Sequence, residues 1–410
     1  MEYATAMMDA CYADTEASDE EVDEMRNVYE AICDGWEMGT FSTEEALAME
    51  SIKGTAFYKR YFEGAPAFKG GFYLLASAAD MEWFSNNVNS LGNTKFNAEV
   101  IAPIDLTEST FTPIGTEAMP YAGTFKGNLY PITNANMMIF GTTQGATVDG
   151  INVQGGVVGG SDNAPHTGSI AGQFQGTMTR CYSNASVANG KGDCGGLIGK
   201  IMNNSTIKNC MFAGNLTSGW SAGLVAGATN GNDNYVVISD IMLDGRNVTY
   251  GNGDGHGLLV GWFHDGVGKN TSNIWVISSP TLTDIVGYKH EEAVTLQNTT
   301  FVTAEEAATG VATYGLNRGV TENPVWFQTL GTDEVPTLSP DSKVVILVDG
   351  NYVNAGEDDE DAVNALKTES QIVNVYDLNG RMVLQGVDSK TGLRSLPNGI
   401  YIIGGRKVLK

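Results

Sequence analysis

A pentapeptide bounded by glycines recurs through the middle of the chain: Gly168-Ser169-Ile170-Ala171-Gly172, Gly195-Gly196-Leu197-Ile198-Gly199, Gly223-Leu224-Val225-Ala226-Gly227 and Gly257-Leu258-Leu259-Val260-Gly261. The closing glycines lie 27, 28 and 34 residues apart. A second apolar strand follows each copy: Thr179-Arg180-Cys181-Tyr182, Ile207 to Phe212, Ile238 to Leu243, and Asn273-Ile274-Trp275-Val276. An earlier partial copy, Ile139-Phe140-Gly141 followed by Val148 to Val153, brings the array to about five rungs. Self-similarity at this period marks stacked units that bury their apolar faces only against one another. The strands are short and no helix-length run separates them, so the array reads as a coiled parallel sheet.

Glycine at the ends of each pentapeptide suits sharp corners, where positive φ or close backbone approach is required. The small residues between would point into a narrow interior. Aligning the rungs places Ile151, Cys181, Cys210, Ile241 and Ile274 at one equivalent, inward position. Cys181 and Cys210 are then core neighbours, and stacked parallel strands about 4.8 Å apart also permit a disulfide between them. The 51 glycines among 410 residues follow no every-third spacing, which excludes collagen.

The predicted fold is mainly β: a short right-handed parallel β-helix with an N-terminal helical segment and a small C-terminal antiparallel β unit. Residues 1–66 read as an acidic helical hairpin, with 16 acidic and 4 basic side chains in its first 63 residues and apolar positions at helical spacing. Cys11 and Cys33 lie on its two arms, as free thiols or as a cross-link. Residues 67–140 read as a cap with lead-in strands, including a helix started by Ser77 and Asp80 and running to about Val88. Rungs occupy 141–283. A C-terminal cap follows over 284–340, with a helix from Ala304 to Ala312 and an aromatic segment, Asn323 to Gly331, laid over the exposed end. Residues 341–369 form a linker containing Glu357-Asp358-Asp359-Glu360-Asp361. The final unit, 370–410, carries six basic and two acidic residues, opposite in sign to the rest.

A formal charge of -25 argues against nucleic-acid and anionic-lipid partners, which need clustered Lys and Arg. No run of 18 apolar residues is present to span a bilayer, and Met1-Glu2-Tyr3-Ala4 lacks the features of a signal peptide. The chain is therefore cytosolic or has lost its signal peptide.

Little in the sequence points to catalysis. Gly219-Trp220-Ser221-Ala222-Gly223 matches a nucleophile elbow in letters, but Gly223 opens a further solenoid strand where the elbow needs a helix. The histidines His166, His256, His264 and His290 lack metal-ligand spacing. Asp254-Gly255-His256, near Asp233 and Asp265, could supply calcium or acid-base groups, although turn chemistry accounts for these carboxylates equally well. No other cofactor is indicated. Outward rung positions are mainly Asn, Ser, Thr and Gly, whereas lyases and glycosidases on β-helices need carboxylates converging from neighbouring rungs. Trp220, Tyr235, Trp262 and Trp275 are candidates for stacking on sugar rings.

The Gly-Leu-Ile/Val-x-Gly pentapeptide resembles the GLUG motif of bacterial surface and adhesin-like proteins. The match extends over roughly 72–340, with Pro113-Ile114-Gly115 and Val325-Trp326-Phe327-Gln328-Thr329-Leu330-Gly331 resembling the opening and closing segments of that domain. Lys126 departs from the pattern, standing where these proteins often carry Asp. The tail, Val373 to Arg381 followed by Leu396 to Ile403, is similar to the type A sorting domain of the type IX secretion system of Bacteroidetes. The residues that carry this likeness are Tyr376, Asp377, Gly380, Arg381, Pro397, Gly399 and Tyr401. Together the resemblances imply a secreted or outer-membrane surface protein that engages the secretion machinery through its tail. They imply adhesion or binding of a glycan or host surface ligand, with a polysaccharide-active enzyme and a structural spacer as alternatives.

Overall fold

The computed structural model describes residues 18–20, 22, 23, 26, 27, 29, 30, 63–159, 166–218, 220–230, 236–251, 255–263, 270–277, 286–289, 299–356, 372–377, 381–388, 396, 400–403 and 406–409. The described residues between 19 and 30 are helical. The rest of the predicted hairpin, Cys11, Cys33 and the acidic linker run lie outside the described residues.

The centre of the chain is a parallel β-solenoid of about seven turns. One turn shows the plan, with five short strands: Ala171–Phe174, Gly176–Thr179, Tyr182–Ser183, Ser186–Asn189 and Asp193–Gly195. Each pairs in parallel with its counterpart in the next turn, for example Ile198–Ile201 with Ala171–Phe174 and Ser205–Lys208 with Gly176–Thr179. Inward positions alternate with outward ones along each strand, as the pleat requires. Val148, Met178, Ile207 and Ile238 stack inward on the second strand, all fully buried.

The array extends beyond the five rungs marked by the pentapeptide. The second-strand sheet already includes Phe72–Leu75, Ala98–Val100 and Thr124–Lys126, which pair in parallel in sequence order, and the third strands continue to Thr299–Val302. The early turns lack the glycine-bounded repeat, and helix α1 (Ala78–Leu91) packs one apolar face against them. Ser77 caps α1 by accepting from Asp80 N at 3.2 Å, and Gly92 ends it at φ 74. Its buried Phe84 meets Tyr121 and Phe125 edge-on, both at 6.0 Å between ring centroids.

Two different devices turn the chain at its corners. Between second and third strands, Gly150, Arg180, Asn209, Asp240 and Asn273 form a column in the left-handed region, with φ from 52 to 68. Immediately after them, Ile151, Cys181, Cys210, Ile241 and Ile274 make the expected inward ladder, each fully buried. Cys181 and Cys210 are free, buried thiols. The pentapeptide corner works otherwise, and none of its bounding glycines has positive φ. They are needed for close approach: strand Ile198–Ile201 lies so near His166–Thr167 that a Cβ on Gly199 would fall 2.6 Å from the His166 carbonyl carbon. Gly227 and Gly261 repeat this against Asp193 and Ala222. The residues enclosed by the glycines are also larger than the narrow interior suggests. Ile170, Leu197, Val225 and Leu259 form their own buried column.

The C-terminal unit is an antiparallel sheet in which Ile372–Asp377 pairs with Met382–Asp388 and Ile400–Ile403, and the latter with Arg406–Leu409. Among the described residues no helix is long and apolar enough to cross a membrane.

Gly199→Ala should lower stability by about 1–3 kcal/mol, since backbone rather than a movable side chain blocks the new methyl. Gly190→Ala meets nothing within 4 Å and should change stability by less than about 0.5 kcal/mol. Urea denaturation midpoints compare the two; equal midpoints would refute the close-approach role.

Candidate functional site

The third strands of successive turns align one outward column in register: Pro131, Asn152, Tyr182, Met211, Met242, Trp275 and Thr300. Its middle members are apolar and buried although they point away from the solenoid interior. The extension that follows the last turn covers them. It comprises α2 (Ala304–Ala308), capped by a full Thr303/Glu306 capping box, α3 (Val311–Leu316), a segment through 342 and a hairpin of Val345–Val348 with Asn351–Asn354. Trp326, fully buried, belongs to a satellite core with Met211, Met242, Ile277, Leu316 and Leu338.

The aromatic segment therefore lies along the flank rather than over the open end. Trp326 Nε1 donates to Asn209 Oδ1 at 3.3 Å, on a turn well before the last strand. The physical reason is the outward apolar column, which offers the segment a surface to bury against. The predicted helix at 304–312 is split into α2 and α3 at Gly310, φ 92.

Polar anchors fix this extension. Asp240, only 4% exposed at its side chain, accepts from Arg318 Nε at 2.9 Å, Asn273 Nδ2 at 2.8 Å and Ser239 Oγ at 3.1 Å. The Gln328 amide is buried, accepting from Thr313 Oγ1 at 2.6 Å and donating to the Ala307 and Asp333 carbonyls at 3.0 Å. Phe327 and Thr337 exchange backbone hydrogen bonds at 2.8 and 2.9 Å, so 324–342 is braced as a wall.

Where the column turns polar, this wall stands off the solenoid and leaves a cleft of about 1070 Å³. Asn152, Tyr182 and Arg180 form its floor, Tyr130 one side, and Phe327 and Glu334 the other. Tyr130 is 38% exposed. The volume lies slightly above the usual range for small-molecule sites, and the mixture of aromatic faces with a few polar groups is the composition such sites use.

Asp149 and Asp244, on strands beside the cleft, and Asp333, in its lining, are each engaged. Asp149 takes a two-point contact from Arg180 (Nε to Oδ1 2.9 Å, NH2 to Oδ2) and a hydrogen bond from Thr179 at 2.6 Å. Burial works to raise the Asp149 carboxyl, yet these bonds outweigh it and hold the group below its ordinary range. Asp244 binds Arg246 at 2.7 Å, and Asp333 accepts from Thr329 N at 2.6 Å. Burial is the main cause that pushes the Tyr182 phenol up, with the Asp244 charge adding to it.

The sequence-predicted aromatics do not converge. Trp220 is 57% exposed at the start of the fifth strand, Trp262 stacks on Tyr288 at 4.1 Å on the first-strand face, and Trp275 lies on the third-strand column. Trp275 Nε1 donates to Asn273 at 2.9 Å, and its indole packs against Gly315 of α3, so it is partly buried under the extension. Tyr235 lies outside the described residues. Ser221 is buried in a sheet strand and donates to the Gly227 carbonyl at 2.5 Å, unlike an exposed nucleophile. Asp233, Asp254, Asp265, His264 and His290 lie outside the described residues, and His256 stacks on Tyr250 at 4.5 Å. Among the described residues no group of three or more His, Cys, Asp or Glu is placed to hold a metal.

In the tail, Tyr376 and Asp377 end one strand and Tyr401 lies on its neighbour, where it pairs with Asp377. Asp377 N donates to Arg381 O at 2.8 Å and Arg381 N to Asp377 Oδ1 at 2.9 Å. Gly380, Pro397 and Gly399 lie outside the described residues. The sequence reading missed Tyr130, Tyr182 and Phe327. Unbroken apolar runs such as Met211-Phe212 and Ile241-Met242-Leu243 mark strands covered on both faces, and they were the available clue to a covered flank.

No protein-family model matches the chain, and no curated protein matches it. Among solved structures it is similar to a crystal structure described as "a putative immunoglobulin A1 protease" from Bacteroides ovatus, at 18% identity and a TM-score of 0.42, covering 65% of this chain and 92% of that one.

Trp326→Ala should cost about 3–5 kcal/mol of the extension's attachment. The expected readout is faster proteolysis within 317–342 with the solenoid's own melting little changed; unchanged proteolysis would show that Trp326 does not anchor the wall. Asp149 has a depressed folded pKa, so its pairing with Arg180 is complete above the ordinary carboxylate pKa of about 3.9 and is lost as pH falls through the lower folded value. A carboxyl NMR titration should give Asp149 a midpoint below that of an exposed aspartate, and an equal or higher midpoint contradicts the pairing.

Proposed function

We propose that the protein is a secreted or surface-displayed binding protein that holds a glycan in the flank cleft without transforming it. The observation that carries this reading is the cleft lining. Tyr130, Tyr182 and Phe327 offer faces or edges on which sugar rings stack, and Asn152, Gln154 and Arg180 lie beside them as hydrogen-bonding groups. The floor rises in steps of one rung, about 4.8 Å, close to the length that one pyranose adds to an extended chain. An oligosaccharide laid along the solenoid axis would meet one outward side chain per sugar.

Engagement of Asp149, Asp244 and Asp333 by arginines or backbone supports binding over turnover, since hydrolysis needs one carboxyl acid and one carboxylate facing the same bond. Glu334 and Asp341, which also line the cleft, favour the second reading, a polysaccharide-active enzyme. Export is supported by the tail. Its strands, the Asp377–Arg381 contacts and its basic charge fit the resemblance to a type A sorting domain, which would engage the type IX machinery. The GLUG resemblance supports display at the surface. The solenoid from Phe72 to Val302, the flank extension through the hairpin ending at Asn354, the acidic run and the tail are assigned as successive functional units, so that residues 341–354, read from sequence as linker, belong to the extension.

The test is retention on immobilised polysaccharides and mucin, with released reducing ends measured in parallel. Wild-type protein should be retained on at least one of them, and Tyr130→Ala with Tyr182→Ala should weaken retention tenfold or more. Sugar release by wild type that is lost in Glu334→Gln would replace binding by catalysis. Absence of retention on every support would overturn the glycan reading.

A further inference from the structure

We propose that the flank cleft selects its glycan by charge: it takes a chain of amino sugars whose ammonium groups face the wall, and it rejects uronate, sialylated and sulfated chains. This rests on the glycan reading above and adds the class of sugar. The observation behind it is the way charge divides between the floor of the cleft and its wall.

The floor has no cation to offer. Arg180 is the one basic side chain in the lining, and Asp149 already holds it at two points, with Nε on Oδ1 at 2.9 Å and NH2 on Oδ2. A ligand carboxylate or sulfate would have to displace that bidentate pair, the strongest geometry an arginine offers. Beside it, Asn152 and Gln154 supply only neutral amides. Arg246, whose charge reaches Glu334, lies outside the lining and is held by Asp244 at 2.7 Å.

The wall is the opposite. All three acids of the lining, Asp333, Glu334 and Asp341, belong to it. Asp333 accepts from Thr329 N at 2.6 Å and Asp341 from Ser339 Oγ at 3.3 Å, uncharged donors that leave the negative charge in place. Among the described residues none of the three has an ion-pair partner. Glu334 and Asp341 are exposed, so a ligand meets them without breaking a buried contact. A cleft lined by one sign of charge concentrates ligands of the other sign and repels its own.

Hydroxyls satisfy the neutral floor, but only an ammonium is drawn to the wall. The chain's charge of -25 attracts any polycation, so the selectivity must be local to be real. Screening makes that separable: with a Debye length of about 8 Å at physiological ionic strength, a sugar in the cleft responds to the wall and hardly to acids elsewhere.

Titration calorimetry on the full chain tests this with three hexasaccharides, at a mildly acidic pH that keeps amines and carboxylates charged: a glucosamine hexamer, its N-acetylated counterpart and a galacturonate hexamer. The glucosamine hexamer should bind about tenfold more tightly than the acetylated one, with galacturonate weakest, and added salt should weaken the first and not the second. Glu334→Gln combined with Asp341→Asn should bring the glucosamine hexamer close to its acetylated counterpart and leave the latter within about twofold. Glu63→Gln combined with Glu117→Gln removes the same charge outside the cleft and should change neither. Galacturonate binding as tightly as glucosamine, or equal losses in the two double variants, would overturn the selectivity and leave the cleft a glycan site. Silence from all three sugars would sink the glycan reading and the selectivity with it.

Discussion

Everything in the solenoid depends on the in-register parallel ladder, which forces equivalent residues of successive turns into columns. Inward columns must then hold side chains that stack at the rung spacing, and Val148, Met178, Ile207 and Ile238 do so without voids large enough to expose any of them. Corners must repeat in every turn as well. One repeats by conformation, through the left-handed column from Gly150 to Asn273, and the other by proximity, where first and fifth strands approach until only glycine fits. With the interior so constrained, chemistry is confined to outward columns, whose members the ladder does not dictate.

The third-strand column shows what that freedom allows. Met211, Met242 and Trp275 provide an apolar seat for the extension, Tyr182 packs at its edge, and Pro131 and Asn152, in the same register, carry the column on into the cleft. The cleft is thus a boundary effect, formed where one line of side chains changes from apolar to polar beneath the wall. Asp240 ties the two parts together. Its Arg318 contact joins the extension to a residue that the corner geometry already holds in place.

The fold was largely legible because glycine at a close-approach corner has no substitute, so the repeat survives in the letters. The early turns were not legible as rungs, since they lack the glycine-bounded pentapeptide that marks the others. Burial of Ile151, Cys181, Cys210, Ile241 and Ile274 followed directly from alignment of the rungs. The site was less legible. Exposed aromatics can be listed from sequence, but which of them share a face depends on where the extension docks. Trp275 reads as a surface residue by alternation and is drawn under α3 only because a distant segment covers its column.

The corner columns also act as a ruler that tolerates insertion. Between the turns beginning at Ile198 and Ala226, paired residues are offset by 28 at the first strand, 31 at Ser205 with Val236, 32 at Leu216 with Val248 and 34 at Ser221 with Gly255. Each increment is absorbed in a connector while the strands on either side keep register. A lineage can therefore lengthen surface loops one turn at a time, diversifying what the molecule displays without renegotiating the scaffold that displays it.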